Sequence, residues 1–155
     1  MLPSLTHIKN LSLRNFRNFD KLNLEFADNN IVFIGQNGVG KTNILEAISL
    51  LAPGRGLRNA KLEEMVNLDA TQDNICSIDA NITFDDDERN IMIVKQSDNK
   101  RKISLDGKTI NNQTNLAQII DVIWLTPLMD SLFIGSAAER RKFLDQTQHI
   151  SSPIT

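Results

Sequence analysis

A single cysteine, Cys76, stands in the 155 residues, so no internal disulfide can form. It lies in a strand-like run, where a buried apolar role is expected rather than a reactive one. No apolar stretch approaches the length that spans a bilayer. The N-terminal segment from Met1 to Lys9 holds no long apolar region of the kind that directs secretion. Repeats and low-complexity tracts are also missing. The expectation is a cytoplasmic chain with no membrane attachment.

What is present is enough for one domain, or one lobe of a larger one. Apolar residues make up 41% and charged residues 23%, an ordinary balance for a packed core. The net charge of −2 hides a pattern. Residues 1–61 carry eight Lys/Arg against four Asp/Glu, residues 62–99 two against ten, and residues 100–155 seven against five. The first segment is therefore basic and the middle acidic. The basic excess can serve a nucleotide or nucleic acid, or can be a solvated face.

The basic segment contains Gly35-Gln36-Asn37-Gly38-Val39-Gly40-Lys41-Thr42, which is G-x-x-x-x-G-K-[ST], the phosphate-cradling P-loop. A glycine-rich turn could imitate it, so the flanks decide. Ile31-Val32-Phe33-Ile34 before it has strand length. Ile44, Leu45, Ala47, Ile48 and Leu51 after it are spaced as one face of a helix. Strand, glycine loop and helix let backbone N–H groups and the positive end of the helix converge on a phosphate. In that geometry Lys41 reaches the β- and γ-phosphates and the Thr42 hydroxyl ligates Mg²⁺. The expected ligand is ATP with Mg²⁺, held by Gly35, Gln36, Asn37, Gly38, Val39, Gly40, Lys41 and Thr42.

Around this motif the pattern predicts strands at 8–16 and 22–26, a P-loop strand at 31–34, and a helix over 41–51 stopped by Pro53-Gly54. A short polar helix follows at 61–67. Strand-like runs at 75–84, 90–96 and 101–105 are separated by turn material at 85–88 and 97–99. Asp106-Gly107 suggests a tight turn into a strand at 108–110. These central strands read as an antiparallel sheet distinct from the nucleotide-binding core. A short helix at 115–120, a buried strand at 122–126 cut by Pro127, and a helix from 137 to about 148 complete the chain.

Several elements together resemble the N-terminal part of the RecF family of recombination-mediator ATPases, within the structural-maintenance (SMC) and ABC-type ATPases. They are Leu13-Arg14-Asn15-Phe16-Arg17-Asn18-Phe19, the P-loop with Asn43-Ile44-Leu45-Glu46-Ala47-Ile48, Gly54-Arg55-Gly56-Leu57-Arg58, and Leu125-Thr126-Pro127 with Arg140-Arg141-Lys142-Phe143-Leu144-Asp145. The resemblance runs through essentially the whole chain. It implies an α/β fold, an ABC-type P-loop ATPase head in which a mixed sheet core adjoins an antiparallel β-subdomain and a helical lobe. The chain then reads as a single N-terminal lobe: strands, P-loop and first helix in 1–60, the β-subdomain in 61–112, and a core strand with the start of the helical lobe in 113–155. It also implies that Arg14, Arg17 and Asn18 lie at the nucleotide's edge, with Arg17 the best candidate for a phosphate or base contact; a solvated charge is the alternative for each arginine. Arg55 and Arg58 would lie near a dimer interface or DNA. The implied partners are single-stranded or gapped DNA, RecO- and RecR-type mediators, and a second copy joined by ATP.

Hydrolysis needs more. It requires an Asp to hold Mg²⁺ and a Glu to orient water, after an apolar strand. The local candidate, Ile82-Thr83-Phe84-Asp85-Asp86-Asp87-Glu88, fits a hairpin turn better. No L-S-x-G-Q signature is present, and Leu128 stands where relatives often carry a Gln or Glu after the proline. Leucine can neither accept a hydrogen bond nor ligate a metal. The expectation is an ATP-binding fragment of a DNA replication and repair protein, of less than half the family's length, that does not hydrolyse ATP alone. An inactive remnant and a stand-alone small P-loop protein are the rival readings.

Overall fold

The computed structural model describes residues 6–67, 75–84, 86–95, 100–111 and 114–127, together with positions 137 and 141. Six strands form one sheet: β1 (His7–Phe16), β2 (Phe19–Glu25), β3 (Ser77–Phe84), β4 (Asp87–Lys95), β5 (Arg101–Leu105) and β6 (Lys108–Ile110). Their order is β2-β1-β3-β4-β5-β6, and every pairing is antiparallel. Four of the five pairings join strands adjacent in sequence. Their turns carry the backbone that the pairing demands: Asp86 lies at φ 65°, and Asp106 and Gly107 at φ 50° and 75°, the left-handed pair of a tight hairpin. Asp86 is thus a turn residue, as the composition predicts, and Asp87 and Glu88 open β4.

Period-two alternation gives the sheet two unlike faces. Leu13, Ile78, Ile93 and Ile103 stand opposite one another across four strands, and Leu11, Ala80 and Ile91 form the next row; all are buried. Against these rows packs α1 (Lys41–Leu50), through Ile44, Ala47, Leu50 and the following Leu51. The opposite face is polar. There Asn90 Nδ2 donates to Asp79 (2.7 Å) and Asn81 (2.8 Å), so side chains satisfy one another across β3 and β4. A 3-10 turn (Leu62–Met65) and a one-turn helix, α2 (Thr114–Ala117), occupy the sites of the two short helices predicted from sequence.

The central strands are not set apart from the N-terminal hairpin. β1 pairs with β3 from His7↔Thr83 to Arg14↔Ser77, making one continuous sheet. The strands predicted at 31–34 and 122–126 are absent: both segments are non-helical and belong to no ladder. The reason is a lack of neighbours. A strand buried in a parallel core needs partners on its edges, delivered by crossover connections, and none of the described strands lies beside these segments. Phe33 turns inward, edge-on to Phe26 at 6.3 Å, while Val32 and Ile34 remain 80% and 91% exposed. Ile123 and Leu125 are likewise exposed, whereas Val122 packs on the core. Leu128 and all of the 137–148 segment but positions 137 and 141 lie outside the described residues. No helix among the described residues is long and apolar enough to cross a membrane.

Candidate phosphate-binding site

The loop from Gly35 runs through Gly38 (φ +86°) to Gly40 (φ +107°), which caps α1. Those dihedrals lie in the left-handed region that a side chain resists. Gly40 has a second reason to be glycine. A Cβ there would overlap the Phe19 ring and sit 2.8–2.9 Å from the Asn18 amide. The β1–β2 turn is therefore pressed directly onto the end of the loop.

The Gly40 carbonyl accepts from Asn43 N–H (2.9 Å) and Ile44 N–H (3.0 Å), which starts the helix. No side chain caps its N-terminus, and no acidic residue stands in its first turn. The leading N–H groups and the positive end of the helix dipole are left for an anion. Lys41 folds back into the loop, its Nζ donating to the carbonyls of Gly35 (2.6 Å) and Gln36 (2.8 Å). Gln36, Asn37 and Val39 are exposed along the loop, and Thr42 is exposed one residue into the helix. Two glycines at positive φ, one of them closed to a Cβ, an uncapped helix N-terminus and a lysine inside the loop all fit a polyphosphate. Among the described residues, no cluster of three or more His, Cys, Asp or Glu could hold a metal by itself.

Arg17 lies next to this loop with its fork engaged. Nε donates to Glu46 Oε2 (2.9 Å), Nη2 to Glu46 Oε1 (2.5 Å), and Nη1 to the Glu64 carbonyl (2.5 Å). Glu46, on α1, is 1% exposed, and Arg58 Nη1 reaches its Oε2 at 3.2 Å. Burying a carboxylate this deep is costly unless it is paired and hydrogen-bonded, and two arginines pair it. Arg17, Asn18, Asn43, Arg58 and Glu64 line an open hollow of about 510 Å³ beside the loop. Arg14 stands elsewhere. It alternates with the buried Leu13 and so points from the opposite face of the sheet, away from α1. Arg55 is exposed. Arg140 and Lys142 lie outside the described residues.

Sequence reasoning gave no side-chain role to Glu46 or Asn43. The available signal was an acid within the apolar stretch of α1, which asks for a buried cation. Its partners stand 29 and 12 residues away along the chain, and no local pattern joins them. Cys76 behaves as its strand context predicts. It is buried, and burial pushes its thiol up to about 11.

Residues 7–127 match the RecF/RecN/SMC N terminal domain, and the chain belongs to that family. Within it, the chain is similar to proteins named DNA replication and repair protein RecF. The one from Mesorhizobium japonicum is 40% identical over 148 residues, covering 94% of this chain and 38% of its own length. That from Rickettsia massiliae is 40% identical, with 94% and 40% covered. The chain thus spans about two-fifths of the length of the curated relatives it matches. A solved structure of the recombination mediator protein RecF with a bound ATP analogue, in the RecFOR pathway, superposes with a TM-score of 0.81 at 26% identity, covering 95% of this chain and 39% of that one. A structure from work on ATP-driven dimerization and DNA-stimulated activation of SMC ATPases shares the fold, with a TM-score of 0.73 at 20% identity, and this chain covers 98% of that one.

Proposed function

We propose that this chain is the ATP-binding N-terminal lobe of a RecF-type protein of DNA replication and repair, working in the cytoplasm. The observation that carries the reading is the loop itself. Gly35 to Gly40 ends on the uncapped N-terminus of α1, with the Lys41 ammonium already inside it. On ATP binding, Lys41 exchanges its two carbonyl partners for the β- and γ-phosphate oxygens. The loop and α1 amides take the remaining phosphate charge. Thr42 would give its hydroxyl to Mg²⁺, whose charge would offset that of the phosphates. Arg17, held at the edge of the hollow by its ion pair with Glu46, would meet the nucleotide's rim. DNA with single-stranded or gapped structure, RecO- and RecR-type mediators, and a second copy joined through ATP are the partners that this reading brings with it.

The same reading makes the chain a binder rather than a hydrolase by itself. Asp87 and Glu88 open β4 at a hairpin rather than following an apolar strand, no L-S-x-G-Q sequence occurs in the 155 residues, and phosphoryl transfer depends almost wholly on such positioning and charge. Calorimetry with ATP·Mg²⁺ tests the binding half. Lys41→Ala is expected to raise Kd about tenfold or more, since it removes a charge-assisted contact of about 1.5–3 kcal/mol. Equal affinity in wild type and variant would remove the loop from the account. Steady phosphate release at saturating ATP that disappears in Lys41→Ala would overturn the non-hydrolytic half.

A further inference from the structure

We propose that Asn18, carried by the β1–β2 turn, is a positioning residue that holds the Val39–Gly40 peptide of the phosphate loop in its anion-ready orientation. The proposal rests on the reading that this loop holds ATP. Asn18 Nδ2 donates to the Val39 carbonyl at 3.3 Å. Every peptide bond in the described chain is trans, and in a planar trans peptide the N–H points opposite to the C=O. A carbonyl drawn outward toward the hairpin therefore turns the Gly40 N–H the other way, into the loop. The missing Cβ at Gly40 is what lets the Asn18 amide come this close.

A chain of donors fixes the direction of that amide. Asn43 Nδ2 donates to Asn18 Oδ1 at 2.7 Å, and Arg58 Nη1 donates to Asn43 Oδ1 at 3.0 Å. Arginine can only donate and a backbone carbonyl can only accept. With these two at the ends, both asparagines have one self-consistent orientation: Arg58 to Asn43 to Asn18 to Val39. Flipping either amide would set two donors or two acceptors face to face. Arg58 is held in turn by Glu46, the carboxylate that also grips Arg17. The hairpin, the loop, α1 and the segment after it are thus tied through a single polar run, and the run ends on the loop peptide.

Asn18 acts through Val39 and not on the nucleotide, so its loss should be felt by any polyphosphate. The test titrates ATP·Mg²⁺ and, separately, inorganic tripolyphosphate·Mg²⁺ into wild type, Asn18→Ala, Asn43→Ala and the double variant. The thermal midpoint of each is read without ligand. Asn18→Ala is expected to weaken both ligands equally, by about threefold to tenfold, the range for one neutral hydrogen bond. Asn43→Ala leaves the donor in place but unanchored, and a smaller loss of about twofold to threefold is expected. Because both residues act in one run, the double variant should bind no worse than Asn18→Ala. A purely structural role would lower the thermal midpoint, leave affinity unchanged and add in the double variant. Unchanged affinity in Asn18→Ala overturns the proposal, as does additivity. A loss for ATP with none for tripolyphosphate also overturns it, by making Asn18 a sugar or base contact. If Asn18→Ala does not fold, Asn43→Ala carries the test alone, and unchanged affinity there has the same force. Wild type that binds neither ligand would instead bring down the ATP reading itself, and the proposal with it.

Discussion

The six-stranded sheet and the P-loop segment are both built from short apolar runs, yet the structure treats them oppositely. In the sheet, Leu11, Ala80, Ile82 and Ile91 are fully buried and every strand has a ladder partner. In the segment before the P-loop, Val32 and Ile34 face solvent and no ladder forms. The difference lies in where the partners come from. Four sheet pairings are closed by turns between neighbouring strands, and only β1 with β3 reaches across the chain. Loop closure is cheap for such hairpins. Among the described residues, the 31–34 and 122–126 segments have no neighbour of that kind. The Gly35–Gly40 loop meets the sheet through the Asn18–Phe19 turn.

The sharpest break in that comparison is a matched truncation. Ile82→Ala removes a fully buried side chain from β3 and should cost about 2–5 kcal/mol, read by denaturant unfolding. A cost under about 1 kcal/mol would mean that the sheet is not the stabilising unit. Next comes the joint between the two regions. Glu46→Ala strands Arg17, whose side chain is 16% exposed, and should cost about 1–3 kcal/mol. Arg58→Ala, at a side chain 41% exposed, should cost under about 1 kcal/mol. Equal effects would show that the Arg17 fork has no special weight.

Cys76 gives a smaller, pH-dependent handle on the sheet side. Its thiol is raised from 9.0 to about 11 by burial, partly offset by Lys95 and Arg17. The folded state therefore keeps the proton more tightly than the unfolded chain. That contribution is complete below pH 9 and is lost as pH rises through 11, an alkaline loss of up to about 3 kcal/mol. Cys76→Ala should flatten the loss, and an identical alkaline slope in both proteins would contradict the burial argument. Smallest of all, Ile34→Ser should change stability by no more than about 0.5 kcal/mol, because the side chain already meets water. A loss like that of Ile82→Ala would reveal a hidden partner for the 31–34 segment.

Much of this was legible in the sequence where signals are local. Strict alternation and the turn residues Asp106-Gly107 placed β2 to β6 within a few residues of their observed bounds. The glycines and Lys41 placed the loop and α1. The misreadings share one cause. Ile31-Val32-Phe33-Ile34 has the composition of a core strand, but a strand is made by its neighbours, and composition does not say whether those are at hand. The pairing of Arg17 with the buried Glu46 was equally out of reach of local patterns, because the two stand 29 residues apart. Whether β1 pairs beyond its own hairpin was also invisible until the Leu13↔Ile78 row showed it.

Among the described residues, a fully paired sheet supports a P-loop whose preceding segment, 31–34, joins no ladder. Amide hydrogen exchange resolved by residue, with and without ATP·Mg²⁺, tests it most directly. Amides of β1, β3 and β4 should be strongly protected in both conditions. Those of 31–35 should exchange freely without nucleotide, and those from Gly38 to Thr42 should gain protection when ATP·Mg²⁺ is added. Strong protection of 31–35 in the absence of nucleotide, or no change at the loop on adding it, would contradict the account.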